Sequence, residues 1–146
     1  MPADEIVKEL ARIRDQSGIM FTIETFDRLL ASGRVSRSQA FFANLLNVKP
    51  ILAIDQKGEV VPRAKAIGRK RVMVALLDAV AEDMGREPEK VRFGIVHVGI
   101  PEIVPEVREL VVARYGEVEI LNAPITPVVA THLGFGAWGL AYMVED

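Results

Sequence analysis

The stretch K-P-I-L-A-I-D-Q-K-G-E-V-V-P-R-A-K-A-I, residues 49–67, decides the fold class. Two apolar runs flank Asp55-Gln56-Lys57-Gly58, and Gly58 supplies the positive φ that a tight turn needs, so the stretch predicts a β-hairpin. On either side of it the periodicity changes. Residues 68–84 read as a helix with Val72, Leu76, Leu77, Val80 and Met84 on one side. Upstream, Ala3 to Ser17 reads as an amphipathic helix with Ile6, Leu10 and Ile13 on one stripe and Asp4, Glu5 and Glu9 near its positive end. Gly18 is expected to stop it. Residues 19–24 read as a strand, and Thr25 as the N-cap of a short helix from Phe26 to Ala31 that Gly33 ends. Ser36 is expected to cap another helix running to Asn47.

Downstream the alternation continues. Residues 91–99 read as a buried strand, Pro101 to Tyr115 as a helix with proline at its start, and residues 117–123 as a strand. A short element and loop (124–134) leads to a final strand at 135–145. Helices alternating with strands predict an α/β (α+β layered) domain, a mixed sheet flanked by helices. A length of 146 residues is one domain's worth, 1–146, and the 50% hydrophobic content is enough for a proper core.

Composition narrows the function. Cys is 0, which removes disulfides and thiolate chemistry, and the two His do not make a zinc centre by themselves. No metal or cofactor is expected. A net charge of −2 argues against a general nucleic-acid binder, and no apolar run is long enough to span a membrane. The acidic N-terminus does not read as a signal peptide, so a cytoplasmic domain is expected. Charge is unevenly spread: residues 25–71 hold ten Lys/Arg against three acids, +7 there and therefore −9 elsewhere. This is either a solvated basic face or a surface that meets anions or an acidic partner.

Two segments could carry chemistry. Ser32 to Ser36 (S-G-R-V-S) places Arg34 in a turn ahead of a helix N-terminus, where free N–H groups and the helix dipole favour an anion. Thr131 to Gly139 (T-H-L-G-F-G-A-W-G) surrounds His132 with glycines that allow close backbone approach. Each reads also as an ordinary turn. Its spacing excludes a dinucleotide loop. His97 inside the 91–99 strand reads as a satisfied core histidine or one at a strand end, Asp78 as a salt-bridge partner, and the pairs Glu82/Asp83 and Glu87/Glu89 as solvated. Phe41, Phe42 and Leu45 read as core or as the wall of an apolar tunnel.

Taken together, GRVS (33–36), NLLNVKPIL (44–52), the following D-Q-K-G and basic segment, and VVATHLGFGAWGL (128–140) resemble the C-terminal domain of DegV-family fatty-acid-binding proteins. Ser32 stands where that family has the first glycine of the turn, and Phe135 where it commonly has proline. The family's N-terminal α/β domain has no counterpart in these residues. The resemblance implies a lipid-binding protein, not an enzyme, with a long-chain fatty acid as ligand. Its carboxylate would meet His132 and Arg34, and its tail would lie in a tunnel that includes Phe41, Phe42, Leu45 and Phe135. A fatty acid kinase would be the partner that phosphorylates the carboxylate, docked through Arg63, Lys65, Arg69, Lys70 and Arg71. Full binding would need the N-terminal domain, and a lone domain could self-associate. Two other readings stand beside this one: a small hydrolase or transferase with His132 as base, and an interaction domain that uses the basic face.

Overall fold

The hairpin at 49–67 forms as its turn residues demand. Gly58 has φ +79°, and its N–H donates to the Asp55 carbonyl at 2.9 Å. The Asp55 side chain closes the turn by accepting from the backbone N–H groups of Lys57 and Glu59, both at 2.9 Å. In the computed structural model, which describes residues 1–33 and 47–146, these strands are β2 (Lys49–Ile54) and β3 (Val60–Ala66). Around them run α1 (Ala3–Asp15), β1 (Ser17–Thr22), α2 (Asp27–Ala31), α3 (Arg69–Met84), β4 (Val91–His97), α4 (Ile103–Tyr115), β5 (Glu119–Pro124), α5 (Pro127–Leu133) and β6 (Trp138–Val144).

The six strands form one mixed sheet in the order β3-β2-β1-β6-β4-β5. Among the described residues, β4 and β5 are the one parallel pair, joined through α4, and the other pairs are antiparallel. The two faces are covered differently. Met20 of β1, Leu140 and Tyr142 of β6, and Phe93 and Ile95 of β4 point to the side where α3 and α4 pack. There α3 presents Val72, Leu76 and Val80, and α4 presents Ile103, Val107 and Val111, the four-residue spacing of one helix face. On the opposite side a smaller core joins Phe21, Ile23, Leu29, Leu52 and Ala137, with Leu133 packed on it. That places α2 and α5 over part of the second face. Ile54 and Leu121 stay exposed.

Several local expectations need correction. Gly18 does not stop α1, which ends at Asp15 with Gln16 as its C-cap; Gly18 belongs to β1. A Cβ there would lie 2.6 Å from Tyr142 Cε1 and 2.7 Å from Asp83 Oδ2, so the glycine serves sheet-on-helix packing. Thr25 is not the cap of α2: the N-cap is Phe26, with no side-chain hydrogen bond. Asp83 is not simply solvated. It accepts a hydrogen bond from the Tyr142 hydroxyl at 2.7 Å and pairs with Arg63 at 3.0 Å. Burial and then the neighbouring Asp83 push the Tyr142 hydroxyl well above the usual phenol range. The expected 36–47 helix, with Phe41, Phe42 and Leu45, and Arg34 before it, lies outside the described residues.

Candidate functional site

Strand direction gathers one set of loops at one end of the sheet. β1, β3, β4 and β5 finish there, and β2 and β6 begin there. Between those loops and the first turns of α3 and α4 lies a cavity of about 850 Å³. This is within the roughly 300–1,000 Å³ typical of small-molecule sites. Its apolar walls include Phe26, Leu30, Val72, Ile100, Ile103 and Trp138. Its polar lining includes Glu24 and Lys49, joined in an ion pair at 2.5 Å, with Asp27, Arg69 and the backbone of Gly136 nearby. Gly136 has φ +87°, and a Cβ there would meet Glu24 Cγ at 2.5 Å, so no larger residue fits without moving that carboxylate. Neither α3 nor α4 has a side-chain N-cap, and their positive ends both face the cavity.

Thr22, Trp138 and His97 lie side by side in register across β1, β6 and β4 at this end of the sheet. Trp138 and Thr22 line the cavity. His97 is buried as the sequence implied, but its Nδ1 has no hydrogen-bond partner among the described residues, so the expectation of a satisfied core histidine fails for that atom. Its carbonyl accepts from the Ile125 N–H at 2.8 Å and so anchors the chain leading into α5.

His132 stands on α5, which starts with Pro127 and ends at Gly134 with φ +81°. Leu133 packs into the smaller core and fixes the helix. His132 is half-buried, and its side chain makes no hydrogen bond or ion pair to another described residue. His132 is outside the cavity lining, on the same β5–β6 connection that brings Gly136 into it. Phe135, expected in the tunnel wall, is 71% exposed with its ring over Gly99. One cation that the sequence reading missed is Arg28 of α2. Its side chain runs along Gly134, Cδ 3.2 Å from where a Cβ would sit, which brings a guanidinium beside the His132 segment. Nothing in the local sequence signalled this, because it depends on α2 packing against α5.

The basic stretch is partly neutralised within the fold. Arg63 pairs with Asp83, and Arg69 with Glu106 at 2.5 Å, a bond that raises the Arg69 pKa and lowers that of Glu106. Asp78 pairs with Arg114, as expected. Lys65 is exposed, as are Lys70 and Arg71 at the start of α3. Among the described residues, no group of His, Asp and Glu is placed to hold a metal ion, and no helix is long and apolar enough to cross a membrane.

A mixed six-stranded sheet with a cavity at one end defines the class, and comparison with known proteins supplies the family. The profile of a family described as "Uncharacterised protein, DegV family" matches residues 2–145, and the chain belongs to that family. Its relatives include Protein DegV of Bacillus subtilis, 32% identical over 139 residues, covering 95% of this chain and 49% of that protein. The fatty acid-binding protein of Thermotoga maritima is 32% identical over 145 residues, covering 98% of this chain and 50% of its own length. A Thermus thermophilus structure titled as fatty acid binding of a DegV family protein superposes with a TM-score of 0.89 at 27% identity, covering 99% of this chain and 51% of that one. The chain thus spans about half the length of the curated relatives it matches.

Proposed function

We propose that residues 1–146 form a lipid-binding domain that holds one long-chain fatty acid, its tail in the cavity and its carboxylate near His132 and Arg34. The observation that carries this reading is the cavity itself: about 850 Å³, walled by Phe26, Val72, Ile103 and Trp138. The names of the two fatty-acid-binding relatives support it. Each tail methylene buried contributes about 0.8 kcal/mol, so the apolar walls supply affinity. A carboxylate drawn out of water needs a cation or hydrogen bonds, or it protonates. Imidazole and guanidinium groups meet that need, and Arg28 brings a guanidinium beside the His132 segment.

On this reading the chain performs no chemistry and uses no cofactor. It presents the head group in the cytoplasm to a fatty acid kinase and then carries the acyl phosphate. The kinase docks on the basic surface of Arg63, Lys65, Arg69, Lys70 and Arg71, of which Lys70 and Arg71 are exposed at the start of α3. The N-terminal domain that the family resemblance implies completes the site. Exposed Val128, Val129 and Phe135 supply the apolar surface that such a domain covers, or through which the lone chain self-associates.

The test uses the full polypeptide that its gene encodes. Solvent extraction of the purified, denatured protein followed by mass spectrometry should release a long-chain fatty acid. His132→Ala and Arg34→Ala should each weaken rebinding and cut acyl-phosphate formation with the kinase, with the fold intact. Repeated absence of any fatty acid, together with no saturable binding of added oleate, would sink the reading.

A further inference from the structure

We propose that Thr22 makes the cavity selective for acyl chains that bear an oxygen function along the chain, hydroxy fatty acids being the simplest class; this rests on the fatty-acid reading above. Thr22 is the last residue of β1 and shares its face with Met20, under α3 and α4. Its in-register partner is Trp138, and both line the cavity. The neighbouring positions on that face are apolar: Met20 on β1, Leu140 on β6 and Ile95 on β4.

Thr22 is 4% exposed, and its Oγ1 has no hydrogen-bond partner among the described residues. A buried hydroxyl left unpaired is destabilising, and valine has almost the same shape without that cost. A wholly saturated tail against this wall leaves the hydroxyl unpaired. Oγ1 itself is closed off in this conformation, so a tail carrying a hydroxyl or keto oxygen at the right depth pairs it once χ1 of Thr22 turns the hydroxyl to the cavity side: the Thr22 O–H donates to the ligand oxygen, or Oγ1 accepts from a ligand hydroxyl. Discrimination then comes from satisfying a protein group that is already dry. That is the physical basis on which polar sites select polar ligands better than apolar pockets reject them.

The experiment is a competition assay on the full polypeptide, with stearate against a positional series of monohydroxystearates. At least one isomer should bind about five- to tenfold tighter than stearate, the scale of one net hydrogen bond. Thr22→Val should abolish that preference, bringing stearate and every isomer to equal competition, and Thr22→Ser, which keeps the hydroxyl, should retain it. Equal binding of stearate and every isomer by the parent protein, or a preference that survives Thr22→Val, overturns the role of Thr22 and leaves the fatty-acid reading standing. Failure of stearate and every isomer to bind overturns both.

Discussion

Gly18 shows how one missing methyl can fix a packing arrangement. It sits beneath the Tyr142 ring and the Asp83 carboxylate, both nearer than 3.0 Å to the position a Cβ would take. Gly18→Ala should therefore push Tyr142 off Asp83 and cost about 1–3 kcal/mol, the range for overpacking a filled site, read from urea denaturation. Tyr142→Phe removes only the 2.7 Å hydrogen bond and leaves Asp83 paired with Arg63, so it should cost about 1 kcal/mol. A different residue sets an acid limit. The guanidinium of Arg86, with backbone N–H groups of Lys90 and Glu89, holds the Asp146 carboxyl at about 2 against an ordinary 3.8. A carboxyl with a lowered folded-state pKa stabilises fully above its unfolded value and loses that contribution as pH falls toward the folded one. The stability gap between the parent protein and Asp146→Asn should stay level above pH 5, shrink between about pH 4 and 2, and close below it. A gap that stayed constant through that window would show that the ion pair is not formed in solution.

Elements differ in how far they can be read from the chain. The 49–67 hairpin was legible because its causes are local: alternating apolar residues, an Asp that closes the turn with its own side chain, and a glycine at φ +79°. α3 was legible for the same reason, its buried positions recurring along one stripe. Leu76, wholly buried at the centre of that stripe, gives the corresponding measurement: Leu76→Ala should cost about 2–5 kcal/mol with an unchanged denaturant slope. Gly18 looks like a helix stop in its local sequence because the side chains that require a glycine there belong to α3 and β6, far along the chain. The site divides in the same way. The glycine-rich segment around His132 stood out by composition, whereas Thr22 beside Trp138, and Arg28 along Gly134, follow from strand register and helix packing. No window of sequence contains those relations.

At the scale of the molecule, the single tryptophan of the chain is on the cavity wall. The difference in emission between the parent protein and Trp138→Phe is then a report on one place. Titration of oleate into the full polypeptide should shift the Trp138 emission to the blue with saturation, as an alkyl chain replaces water beside the indole. A difference spectrum unmoved at concentrations where binding is seen by other means would place the tail elsewhere. The unequal charge of the sequence also resolves at this scale: Arg63 and Arg69 meet acids contributed by the second half of the chain, so much of the apparent basic surface is internal stitching.

The two ends of the sheet have opposite duties. At the end away from the cavity, Arg86, Lys90 and Arg92 clamp Glu119, Glu145 and Asp146. At the other, the segments 23–26, 98–102 and 134–137 border the cavity, the last two joined by hydrogen bonds between Val98 and both Gly136 and Ala137. Evolution or an engineer could exchange that rim, changing 98–102 and 134–137 together, and retune which guest is accepted while the clamped foundation stays untouched.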